Sequence, residues 1–197
     1  MSATRTNKLS AAQLSDVLQR CNVPPEAQDA IAGMQDIMGI IQALNQAGFP
    51  IEATRVFAHA LPKREAVWWA CMCATHTSPA GIPEADRKAR ELSELWVRQQ
   101  TDELRRAAME EAKRAGFQSP EAWAAVAAFW SGDSLTPLNT PPVAPPVHLT
   151  GVAVAGAVAL ASVRGAPNRQ PQRLALFLQS AHDIAAGGPG RLPVEAE

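Results

Sequence analysis

The side chains best suited to chemistry in this sequence are its thiols and imidazoles, and one stretch gathers them as Cys71-x-Cys73-x-x-His76. Thiolate and imidazole are zinc ligands, so the spacing invites a metal reading. The neighbouring residues argue against it. Ala66-Val67-Trp68-Trp69-Ala70-Cys71-Met72-Cys73-Ala74 carries no charge and reads as helix. On a helix, residues two apart diverge by about 200° around the axis. The third cysteine, Cys21, stands alone, so no second pair can close a tetrahedral site. A mid-helix thiol among apolar neighbours has its pKa raised, which disfavours Cys73 as a nucleophile. His182-Asp183 places a base beside an acid, but adjacent helical residues face apart and no Ser or Cys elbow accompanies them. Gly151-x-x-x-x-Gly156-Ala157 lacks the Lys-Ser/Thr of a phosphate loop. The histidines His59, His76 and His148 carry no motif. The expectation is no catalytic residue, no metal and no cofactor.

The elements that would position any site are legible from punctuation. Pro24-Pro25, Pro62, Pro83, Pro120 and Pro171 open apolar-periodic runs, where a missing N–H costs little, and Gly48, Gly116, Gly132 and Gly187 close them. Between these marks the pattern predicts helices over 10–21, 25–33, 35–47, 51–61, 63–76, 84–115, 120–131, 149–164 and 171–186. No segment alternates as a strand. The predicted fold is all-α, a multi-helix orthogonal array of about nine helices. The helix of Trp68 and Trp69 is apolar all round and therefore central. Residues 84–115 hold eight acids and eight bases, with five acid-to-base pairs at i,i+4. They fit one long helix or two joined at Gln99–Thr101.

Five of the 16 prolines fall in 137–146, the composition of an extended, protease-sensitive connector. It divides a body at 9–134 from residues 149–187, with 135–148 as linker. The helix from Leu149 to Val163 has no charge and is rich in small residues. It should close a C-terminal hairpin with 171–186 through Gly156, Ala157 and Ala161. Two helices bury too little to stand alone, so the hairpin should dock on the body, touching the Trp123–Trp130 helix. Residues 1–8 and 188–197 read as loose tails.

Charge is balanced, 18 basic against 19 acidic residues, and offers no field to draw in nucleic acid. The start of the chain lacks the apolar core of a signal peptide, and the longest uncharged apolar stretch, Leu149–Val163 with 15 residues, is short for a bilayer. Reduced thiols and a cytoplasmic location are expected.

Leu61-Pro62-Lys63-Arg64-Glu65-Ala66-Val67-Trp68-Trp69-Ala70-Cys71, followed by Trp123 and by Phe129-Trp130-Ser131-Gly132-Asp133-Ser134-Leu135, resembles an uncharacterised bacterial family of small helical proteins. The similarity runs over about residues 55–187. It implies an accessory or adaptor role beside type VI secretion, with a secretion-system component or effector as partner, and brings no catalytic residues. Arg64 sits in the first turn of its helix, at the wrong end of the dipole; Asp133 is the expected carboxylate partner. Arg64, Trp68, Trp69, Trp123, Trp130 and Asp133 are thus the residues expected to matter for interaction or structure. The rival classes are an enzyme of unrecognised type, which needs titratable groups converging in a pocket, and a structural subunit, which would self-associate.

Overall fold

A computed structural model describes residues 7–11 and 13–196, all of them helix, turn or irregular chain without a strand. After a 3₁₀ turn at Lys8–Ala11 come α1 (Leu14–Cys21), α2 (Pro25–Gln28), α3 (Ile37–Gln46), α4 (Pro50–Ala60) and α5 (Lys63–His76). Then follow α6 (Glu84–Gln99), α7 (Asp102–Arg114), α8 (Pro120–Trp130), α9 (Leu149–Val163) and α10 (Gln170–Ala185). The charged stretch is two helices. Gln100 takes a left-handed φ of 52°, and Thr101 restarts the chain by accepting the Leu104 N–H. Ser119 caps α8 in the same way, accepting from Ala122, with Pro120 in the first turn. Its hydroxyl in turn donates to Asp86. That removes Asp86 from the predicted pair with Arg90. Glu84–Lys88 and Asp102–Arg106 form as the spacing predicts, whereas Arg90 turns to Glu94.

Two largely buried helices organise the rest, α9 keeping one exposed line at Val152, Ala159 and Val163. α5 is packed by α4, α6, α8, α9 and α10, and α9 by α4, α5, α8 and α10. Trp69 is fully buried, tilted against Phe57, and its indole N–H reaches the Phe177 carbonyl of α10 at 3.0 Å. Ala153, Val154, Ala157, Val158 and Ala161 of α9 are all at 0% exposure within the single core. The expected hairpin is therefore not formed. α9 and the segment 167–185 bend by 111°, and α9's main neighbours are α8, α5 and α4 rather than α10. Gly156 meets the face of Trp123: a Cβ there would stand 3.4 Å from the ring. Its small side serves the α8–α9 approach, as the expected contact with the Trp123–Trp130 helix requires. An uncharged helix must bury most of its surface, and a single partner helix covers too little of it. No single helix among the described residues is long and apolar enough to cross a membrane.

The proline-rich segment also departs from the extended linker. The ends of α8 and α9 lie side by side, with Ser131 Oγ 3.2 Å from Thr150 Oγ1. The chain between them loops back on itself: Leu135 N–H donates to Val143 C=O at 2.8 Å, and the Ser134 hydroxyl accepts from the amides of Thr136 and Val143. Pro145 is buried, while Leu138 and Val147 stand in solvent.

The tails differ as well. Residues 1–6 and 197 lie outside the described residues, but Lys8 pairs with Glu65 at 3.0 Å and Leu9 is buried. Residues 188–196 are an ordered strap: Pro189 C=O accepts from the Trp68 indole at 2.7 Å, and Gly190 C=O accepts from Ser180.

The paired tryptophans should separate in stability. Trp69→Ala opens a fully enclosed cavity and is expected to cost about 3–5 kcal/mol. Trp68→Ala, half-buried with one hydrogen bond, should cost only about 1–2 kcal/mol. Urea melts of the two variants against the parent chain measure both.

Candidate functional site

The six residues singled out in the sequence do not converge. Trp69 is core. Trp68, on the adjacent side of α5, lines a small cavity with Lys8, Arg64, Val97 and Ile184. Trp123 and Trp130 are half-buried on α8, and the Trp123 indole donates to the Phe117 carbonyl at 2.9 Å. Arg64 does not meet Asp133. It pairs with its own neighbour Glu65 at 2.9 Å, where Lys8 also arrives, and these two cations hold the Glu65 carboxyl below its ordinary pKa against the opposing effect of burial. A carboxylate one residue away makes a distant partner unnecessary. Asp133 is exposed, and the arginine packed against its turn is Arg105. That guanidinium donates to the Phe129 carbonyl at 3.2 Å and stands over the Phe129 ring.

The thiols are enclosed. Burial pushes Cys21 up to about 12 and raises Cys71 and Cys73 well above the ordinary thiol range. His182 packs edge-on against Phe57, while Asp183 accepts the Gly190 N–H, so the two side chains serve different contacts. Among the described residues no three His, Cys, Asp or Glu side chains are grouped to hold a metal ion. His59 borders a cavity of about 350 Å³ with Lys8, Arg20 and Lys63. Burial first, then the charges of Arg20 and His148, lower its pKa to about 4, so it is neutral at physiological pH.

The strongest local chemistry lies where α5, α6, α9 and α10 meet. A cavity of about 680 Å³ opens there between the α5–α6 turn and the α9–α10 turn, bordered by His76, Arg90, Arg164, Arg169 and Arg173. Each arginine is placed by the fold. Arg164 follows the last residue of α9 and makes a two-pronged contact with Glu121 of α8, a carboxylate at 0% exposure. Arg173, in the first turn of α10, is 4% exposed in its side chain. One of its nitrogens donates to the carbonyls of Ser162, Arg164 and Ala166, closing the open C-terminal end of α9 with a cation. Its other nitrogens fork onto Glu195 of the strap at 2.6–3.2 Å. That fork leads the effects holding the Glu195 carboxyl below its ordinary pKa. Arg90 reaches Thr75 with one terminal nitrogen, while its buried Nε lacks a hydrogen bond.

The strap enters this cavity through its main chain as well. Pro193 C=O meets the His76 ring Nδ1, Glu195 N–H donates to the His76 carbonyl at 2.7 Å, and Ala196 C=O accepts from Arg169 at 3.0 Å. Sequence reasoning missed this site. The available signal was Arg164, Arg169 and Arg173 within ten residues, with no acid between Ser134 and His182. A local cationic excess of that kind needs partners from elsewhere in the chain.

Fold and site together define a helical module with two largely buried central helices and an arginine-lined groove at one end. The chain belongs to a family of unknown function, DUF6931, whose model matches residues 40–185. No curated protein and no solved structure matches it. The matched span takes in the paired-Trp helix, Trp123 and Trp130. It also includes the four groove arginines, whereas the strap lies beyond it.

Removing Arg164 tests how the groove is built. Arg164→Ala strands a buried carboxylate and is expected to cost about 3–5 kcal/mol, whereas the double variant Arg164→Ala/Glu121→Leu should recover most of that loss. Thermal unfolding of the set gives the comparison. Equal instability of single and double variants would mean that the ion pair is not what holds this corner.

Proposed function

We propose that this protein is a non-enzymatic protein-interaction module whose binding surface is the arginine-lined groove between α5, α6, α9 and α10. The observation that carries the reading is the way the groove holds 193–196, by main-chain hydrogen bonds to His76 and Arg169 and a guanidinium–carboxylate fork. These are the contacts by which peptide-recognition sites hold a segment of another protein. The side chains that could do chemistry lend little support to an enzyme: the thiols are enclosed and raised in pKa, and His182 and Asp183 are engaged apart. A cytoplasmic accessory or adaptor role beside a type VI-like secretion system, with a component or effector as partner, belongs to the same proposal and rests on the family resemblance.

A photo-crosslinking amino acid at Ala80, exposed on the groove rim, tests this in the native cell. The expected result is an adduct with a second protein, with a secretion component or effector as its identity. A matching residue at Glu110, on the exposed side of α7, should give no such adduct. Equal adducts at both positions, or none at Ala80, would count against the groove as an interaction surface.

A further inference from the structure

The contacts made by the strap also identify what the groove selects. Over Pro193–Ala196 the groove takes four things: the carbonyl of 193, the amide of 195, the carboxylate of 195 and the carbonyl of 196. The side chains of Pro193, Val194 and Ala196 point into solvent, Val194 at 61% exposure. Three of the four contacts are therefore main-chain and indifferent to sequence, and the fourth requires an acid. Arg164 is already neutralised by Glu121, and Arg90 lies against Glu94 at 3.4 Å. Among the described residues, Arg173 and Arg169 meet a carboxylate only in the strap's Glu195. If the strap left, Arg173 would keep its carbonyl contacts while its Nε and Nη2 lost their counter-charge and faced water. An occupant that brings a carboxylate restores the charge-assisted fork, which one without an acid does not.

The strap is also built to stay beside the groove whether or not its end is seated. Gly190 is fixed by three features: Ser180 donates to its carbonyl, Asp183 accepts its N–H at 2.8 Å, and a φ of 59° with Ile184 pressed against it excludes a side chain. Beyond this anchor the segment is held by Leu192, partly buried against the core, and by the groove contacts of 193–196. A segment tethered so closely competes as a ligand at high effective concentration.

We infer that the groove is a binding site for a non-helical peptide of a partner protein that presents a glutamate or aspartate, and that residues 191–196 are a tethered competitor occupying it in cis. This rests on the interaction reading above and adds the ligand chemistry and its regulation. The partner exchanges with the strap: its carboxylate takes the place of Glu195 on Arg173 and Arg169, and its main chain takes the place of 193–196 on His76.

The test uses the full chain and a fluorescein-labelled synthetic peptide, Arg-Leu-Pro-Val-Glu-Ala, read by fluorescence anisotropy. A Glu195→Gln chain keeps its fold and anchor but has a weakened competitor, so it should bind the peptide about tenfold or more tighter than the parent chain does. Replacing Glu by Gln in the peptide should weaken binding to that variant by about tenfold or more, the loss of a charge-assisted fork. Adding Arg169→Gln should weaken it comparably; Arg169 is preferred to Arg173 because it caps no helix, and circular dichroism checks the fold. The inference is overturned if the Glu195→Gln chain binds neither peptide, or binds both equally, or binds no better than the parent. It is also overturned if the parent chain dimerises and Arg169→Gln abolishes the dimer, which would give the groove to a second copy. A partner crosslinked at Ala80 alongside a failed peptide titration would remove the acidic-peptide rule and leave the interaction reading intact. Tight peptide binding with no crosslinked partner would do the reverse.

Discussion

Fifteen residues without a charge, Leu149–Val163, impose the constraint on which this structure depends. Most of such a helix must be covered, so α4, α5, α8 and α10 pack against it, its small side chains let them come near, and one line, Val152, Ala159 and Val163, stays outward. Burial then raises a second demand. The last carbonyls of an enclosed helix lack partners within the helix and cannot be left dry. Arg173 meets that need from the start of α10, and Arg164 leaves the end of α9 to pair with the buried Glu121. The groove follows from these steps. The guanidinium of Arg173, brought in to finish a core helix, presents its remaining nitrogens at the rim, where the strap's Glu195 meets them. Interior packing and the binding chemistry of the surface are thus joined through Arg173.

How much of this could be read beforehand depended on whether a signal was local. Helix starts at Pro120 and Pro62 and the enclosure of Trp69 were legible because caps, prolines and apolar periodicity act within one turn of chain, whereas the break at Gln100 fitted no better than one long helix. The place of α9 was half legible. Its lack of charge says that it is buried but not by what, and a hairpin with 171–186 was the nearest answer in sequence rather than in space. The proline segment shows the same limit. Proline removes a donor from the chain, yet Leu135 and Val143 still carry amides, and the closeness of Ser131 to Thr150 makes a closed loop sufficient.

Long-range charge was the least legible layer. Arg64 met the adjacent Glu65 rather than Asp133, because a carboxylate one residue away lies within reach of a flexible side chain. Glu121 looked like an ordinary first-turn acid suited to the helix dipole, and its complete burial under Arg164 had no sequence signal of its own. The strap was misjudged for its composition. Gly187-Gly188-Pro189-Gly190 reads as a flexible end, whereas Gly190 is small because Ile184 leaves no room beside it.

Native-state hydrogen exchange along α9 tests the account most directly. If this helix is an integral part of one cooperative core, the amides of Ala153–Ala161 exchange only through global unfolding, as slowly as those of Val67–Cys73 in α5. Exchange of the α9 amides through a lower-energy opening, while α4, α5 and α8 stay protected, would contradict it. α9 would then be a separable element, and the arginines at its end would not be tied to the core.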